Sequence, residues 1–100
     1  MPTFVLMTRM APETLQSAKG RRAKGKEWIK KVKKSCPNVK WLYHYALLGS
    51  YDFMDVYEAP DSETALRVSL ISRAEGALSV ESWQATPYDQ FLKILGEVHP

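Results

Sequence analysis

Only one cysteine, Cys36, occurs among the 100 residues, so no disulfide can form within the chain and packing alone must hold the fold. Soft metal ligands are equally scarce. With His44, His99 and Cys36 as the whole set, the donors of an intrachain zinc site are missing and no metal is expected. No apolar run approaches the roughly 20 residues that cross a bilayer. The opening "MPTFVLMTRM" has neither a charged leader before its apolar stretch nor a small-residue cleavage site, so no membrane span or secretory signal is expected. Repeats, linkers and low-complexity tracts are missing as well. These absences leave a single domain over residues 1–100, with a core of its own and an unpaired thiol suited to a cytoplasmic location.

What is present is unevenly placed. Nine basic residues and one acid, Glu27, lie between Lys19 and Lys34, while the rest of the chain holds five basic and ten acidic residues. A net charge of +3 therefore conceals a local excess of +8. Such segregation can steer an anionic partner, and it is more commonly the mark of a lysine-rich helix face in water. Nucleic-acid binding is not expected: apart from Trp28, no aromatic is interleaved with the lysines, and the strands lack the aromatic-basic pattern of sheet-based RNA binders. Arg22 and Gly25 break the helix's apolar stripe too much for membrane insertion.

Along the chain, "TFVLMT" (3–8) reads as a strand buried on both faces. Pro12 and Glu13 suit a first helical turn, and a helix is expected to run on to about Ser35, firm from 21 and closed by "CPN". Its inward stripe reads Leu15, Ala18, Arg22, Gly25, Ile29, Val32 and Cys36. "VKWLYHYALLGSYDFMDVYEA" reads as a β-hairpin with Gly49-Ser50 as a two-residue turn. A second helix follows in "PDSETALRVSLISRAEG", capped by Asp61, stopped by Gly76, and turning Leu66, Leu70 and Ile71 inward. "ALSVESWQA" is the fourth strand, and "PYDQFLKILGEV" a closing helix with Phe91, Leu92 and Leu95 as its stripe.

The order β-α-β-β-α-β plus a terminal helix is the α+β, ferredoxin-like pattern: four antiparallel strands with both helices on one face. The opposite face of such a sheet is ordinarily polar. Here Trp41, Tyr43, Tyr45 and Leu47 take one side of the second strand while Leu42, Ala46 and Leu48 take the other. A sheet apolar on both sides needs a second cover, and a homodimer supplies it.

"GSYDFMDVYEAPD" (49–61) resembles the signature of the GYD-domain family, matching at Gly49, Tyr51, Asp52, Glu58, Ala59, Pro60 and Asp61. The later "GALSVESWQA" is similar to that family's final strand at Gly76, Glu81, Ser82 and Ala85. The resemblance implies a ferredoxin-like domain, mostly bacterial, that dimerises as an α/β barrel and has no established biochemical role. Asp55 departs from the pattern, standing where the family usually has an apolar residue.

A two-residue turn at Gly49-Ser50 sets Leu48 opposite Tyr51, Leu47 opposite Asp52, and His44 opposite Asp55, with Phe53 and Tyr57 on the same face. An acid beside an imidazole favours the imidazolium or orients a neutral ring for proton transfer. Arg22, on the helix stripe, can reach toward the pair. Arg22, His44, Tyr51, Asp55 and Tyr57 are accordingly the candidate lining of a small-molecule binding or sensing pocket, for an anionic or aromatic ligand. Two other readings stand beside it. One is a cofactor-free enzyme with His44 as base and Asp55 as its orienter. The other is a purely structural or regulatory dimer in which the two residues satisfy each other. Neither cofactor nor membrane partner is expected. Asp52, just after the turn, is read as tying down backbone amides, and Cys36 as an inert thiol.

Overall fold

The computed structural model describes all residues 1–100. Strands β1 (Thr3–Met10), β2 (Lys40–Ala46), β3 (Phe53–Glu58) and β4 (Ala77–Ala85) form one antiparallel sheet in the spatial order β2-β3-β1-β4. Helices α1 (Ala18–Ser35) and α2 (Ser62–Ala74) connect β1 to β2 and β3 to β4, and α3 (Tyr88–Val98) follows β4. This is the ferredoxin-like arrangement read from the sequence.

The core lies between the sheet and the first two helices. Phe4, Leu6, Tyr57 and Val80 rise from the sheet to meet Val32 of α1, Cys36 at its C-terminal cap, and Ala65 and Val68 of α2. Phe4 and Tyr57, paired across β1 and β3, stack with their ring centroids 5.7 Å apart. Burying each such side chain stabilises by roughly 1.5–3 kcal/mol.

Local chemistry explains the element ends. Pro12 opens a single 3-10 turn, Pro12–Leu15, and Ser17 then caps α1 by accepting the Gly20 amide at 3.0 Å. A β-carbon at Gly20 would sit only 2.9 Å from that same hydroxyl, so the cap needs glycine there. The helix is thus regular from Ala18, three residues earlier than the glycines suggested. Asp61 caps α2, accepting both the amide and the hydroxyl of Thr64, at 2.8 and 2.7 Å. Gly76, at φ 104, makes the left-handed exit into β4.

Four expectations change. The β2–β3 link is not a two-residue turn: β2 ends at Ala46 and β3 begins at Phe53, and Gly49 does not take the positive φ that a turn starting at glycine requires. The Leu47 amide still bonds to the Asp52 carbonyl at 2.9 Å, so the wider loop keeps the expected register. A bulge between Trp41 and Tyr43 puts Trp41 on the helix side with His44, and leaves Tyr43 and Tyr45 on the other face. On α2 the buried positions are Ala65, Val68, Ser69 and Ser72, whereas Leu66 and Leu70 are exposed. Small residues there let the helix sit close to the sheet, and the Trp28 indole N–H donates to the Ser72 hydroxyl at 2.8 Å. Finally, the α1 stripe carries Arg21 rather than Arg22, together with Trp28.

The far side of the sheet has no cover from its own chain. Tyr43, Tyr45 and Trp83 are 58, 51 and 47% exposed there. Helix α3 likewise projects from the body, with Tyr88, Phe91, Leu92 and Leu95 all exposed. The chain measures 52 × 30 × 18 Å as a result.

Candidate functional site

His44 and Asp55 face each other across β2 and β3, as the register requires, and His44 Nδ1 engages Asp55 Oδ1. Their environments differ sharply. The Asp55 side chain is 6% exposed and that of His44 55%. Burial pushes the Asp55 carboxyl above the usual carboxylate range, against the opposing pull of His44 and of Arg21. A carboxylate receiving Nδ1–H sets the tautomer of a neutral imidazole and leaves Nε2, which has no protein partner, as its free lone pair.

Phe53 supports the pair from the same strand face. The His44 ring stacks on it at 5.4 Å, and the Arg21 guanidinium lies over it, 4.8 Å from the centroid. Arg21 has no hydrogen-bond acceptor and no ion-pair partner, so all its N–H groups remain available. Above these residues, α1 and β2 enclose a groove of about 460 Å³, within the usual range for small-molecule sites. Trp28, Ile29, Trp41 and Leu42 form its apolar wall, with Trp28 and Trp41 packed edge to face at 5.1 Å. Gly25 leaves the α1 side open, Arg22 and Lys26 stand on the rim, and Arg21 reaches further in, over Phe53. A narrower crevice of about 30 Å³ continues past Asp55 toward Thr8 and Ser72. Lys24 and Glu75 border it, and Glu75 is taken up by Lys31.

The residues singled out from the sequence part company here. His44 and Asp55 form the floor of the groove. Arg22 reaches only its rim, because α1 is turned so that Arg21 holds the inner position. Tyr57 is fully buried in the core below, its hydroxyl without a hydrogen bond and its ionisation pushed up to about 12 by burial. Tyr51 is on the opposite face of the sheet, 6.3 Å from the Trp83 ring and under Arg9. Arg21, Trp28 and Phe53 were missed. Trp28, four residues before Val32 and seven after Arg21, carried the signal: centring the stripe on the largest apolar residue of α1 selects Arg21.

Asp52 has a structural task. Its carboxylate accepts the Met10 amide at 2.7 Å, its own amide donates to the Thr8 carbonyl at 2.8 Å, and Arg9 Nε donates to the neighbouring Ser50 carbonyl at 2.9 Å. The Gly-Ser-Tyr-Asp segment therefore fastens the hairpin loop to the end of β1, which also carries that strand two residues past Thr8.

Compared with known proteins, residues 4–95 match the model of the GYD domain. The chain belongs to the GYD-domain family. A protein of Thermus thermophilus, described as a glutamine synthetase and cystathionine beta-lyase binding protein, is 30% identical over 90 residues, covering 87% of this chain and 90% of its own. Among solved structures, TTHA0845 of the same organism superimposes with a TM-score of 0.60 at 20% identity, over 87% of this chain and 95% of that one. MtbAldR gives 0.59 at 15% identity; 86% of this chain is covered, and it spans 52% of that protein. These two likenesses establish the fold alone.

The chemistry open to this GYD domain follows from its groups. Cys36 is buried and its thiol pushed up by burial, so it is a poor nucleophile. The exposed imidazole, the free guanidinium and the aromatic walls are suited to holding an anion, or to moving a proton at Nε2. No helix is long and apolar enough to cross a membrane.

Proposed function

We propose that this GYD domain is a cytoplasmic small-molecule binding or sensing module that works as a homodimer. The observation that carries the reading is the half-exposed His44, held by the buried Asp55 at the floor of a groove with aromatic walls and a cationic rim. A buried carboxylate is costly unless it is paired and hydrogen-bonded, and the partner that Asp55 takes is the half-exposed imidazole that it also orients. The groove is the place where that cost has a use.

Dimerisation is supported by area. The chain exposes 6952 Å², against about 5,800 Å² expected of a compact monomer of this mass. The excess, on the order of 1,200 Å², exceeds the roughly 800 Å² per partner of a standard interface. Exposed aromatic residues of the open sheet face (Tyr43, Tyr45, Trp83) and of α3 (Tyr88, Phe91) are part of that surface. A second copy of the chain covers the open face.

The test is thermal unfolding with a panel of amino acids, nucleotides, sugar phosphates and aromatic acids at millimolar concentration. A ligand present at 100 times its Kd should raise Tm by roughly 10 °C. The rise should vanish in Gly25→Trp, whose ring would occupy the groove, and shrink in His44→Ala. No shift with any member of the panel would sink the reading.

A second reading rests on the Thermus relative, whose name describes binding to two enzymes. On that reading the uncovered surface docks on an enzyme rather than on another copy. Size-exclusion chromatography with purified glutamine synthetase separates the two: co-elution favours docking, and independent elution of a dimer favours the first reading.

A further inference from the structure

The charges around the groove do not balance, and the imbalance has a direction. Arg21, Arg22, Lys24 and Lys26 border the groove and its inner crevice, and none of them is in an ion pair. The acids that border the same space are Asp55 and Glu75, and each is already matched, by His44 and by Lys31. An incoming anion thus meets surplus positive charge without displacing a protein carboxylate.

The inner member of this set is also the most constrained. The Arg21 guanidinium stands over the Phe53 ring, 4.8 Å from its centroid, with no hydrogen bond or ion pair to occupy its donors. A guanidinium with free donors is a two-point receptor for a carboxylate, whereas a lone ammonium binds as a point charge. The remaining surface is apolar and largely aromatic: the edge-to-face Trp28–Trp41 pair with Ile29 and Leu42 along one side, and the His44 ring stacked on Phe53 at the floor. A compact, fully hydrated anion would leave those surfaces wet, while a planar hydrophobic body would cover them.

We propose that the groove selects planar aromatic carboxylates, with the carboxylate on Arg21 beside His44 and the ring system against Trp28 and Trp41. This inference rests on the binding-module reading above and names its ligand class. Arg21 is the specificity-determining residue, and the lysines of the outer α1 face take no part.

The experiment is isothermal titration of the full chain with four probes: 2-naphthoate, its neutral amide, cyclohexanecarboxylate and inorganic phosphate. The expected result is one 2-naphthoate per chain, with the amide weaker by about ten-fold or more, the scale of a charge-assisted hydrogen bond. Cyclohexanecarboxylate and phosphate should also bind more weakly than 2-naphthoate. Arg21→Gln should lower 2-naphthoate affinity by about ten-fold or more with an unchanged far-ultraviolet spectrum, and Arg21→Lys should restore only part of it. The double variant Lys30→Gln/Lys33→Gln should change it by less than about two-fold.

Equal affinity for acid and amide overturns the proposal. So does phosphate binding tighter than 2-naphthoate, or equal losses in the arginine and double-lysine variants, which would mean adsorption to the basic helix. If all four probes fail while another small molecule still raises Tm through the groove, the ligand class is wrong and the module stands. If no small molecule binds at all, the broader reading has failed with it.

Discussion

The two faces of the sheet are built from similar residues and meet opposite fates. On the helix side, Phe4, Leu6, Tyr57 and Val80 are buried by α1 and α2, and the polar pair His44–Asp55 sits at the margin of that core. On the open side, Val5, Met54, Val56, Tyr43, Tyr45 and Trp83 line up on alternate positions with no helix above them, and Tyr43, Tyr45 and Trp83 are exposed. One face is covered by helices of the chain, and the other has no helix over it. Stability and assembly should therefore respond to different substitutions.

The largest effect is expected in the covered face. Leu6 is fully buried, and Leu6→Ala should lower unfolding stability by about 2–5 kcal/mol in urea titration, whatever the protein concentration. Next comes the open face. Trp83→Ala should weaken self-association by about 2 kcal/mol, or roughly thirty-fold in Kd by sedimentation, if the indole is a central anchor. Its effect on stability should depend on concentration, which the effect at Leu6 should not. If Trp83→Ala instead lowers stability at every concentration, the two faces are not separate in the sense argued.

The pH dependence sharpens the contrast, since both groups of the sheet whose ionisation is shifted point to the helix side. Tyr57 ionises at about 12 in the fold against an ordinary value of 10.0. The folded state therefore holds this proton longer than the unfolded chain, so stability is complete below pH 10, falls as pH rises, and levels above about 12. Tyr57→Phe should remove that slope. Asp55 is also raised, by burial, so its contribution has the same sign in the acid range. Stability should fall as pH rises from the usual carboxylate value through the raised one, and Asp55→Asn should flatten that segment. The smallest change is at Gly25, where an added β-carbon meets nothing closer than Arg21 at 4.0 Å. Gly25→Ala should stabilise α1 by about 1 kcal/mol in thermal unfolding.

The parts of this fold that were legible in the sequence rest on local or parity arguments. β4 appears at its expected residues because turn signals bracket it, and Asp61 and Gly76 mark the ends of α2 by cap chemistry. The His44–Asp55 pairing survived an incorrect turn, because widening the loop symmetrically about Gly49-Ser50 leaves the cross-strand pairs unchanged. The misreadings depended on what lies across a gap. Ala65, Ser69 and Ser72 face inward because the helix must approach the sheet closely, which hydropathy cannot register. The Trp41–Tyr43 bulge shifts Trp41 by one position and brings it under Trp28, giving the groove a wall that strict alternation would have denied it. The rotation of α1 by one residue exchanged Arg22 for Arg21, and with it the residue that faces the groove. Tyr51 was misassigned to the groove because its loop swings to the far face, where Arg9 and Trp83 hold it.

Sedimentation equilibrium of the unmodified chain at tens of micromolar is the most direct test of the claim that the open face needs a partner copy. The expected particle has twice the chain mass of 11.4 kDa, and Trp83→Arg should return it to a single mass. A stable, soluble species of 11.4 kDa in the unmodified protein would contradict the account.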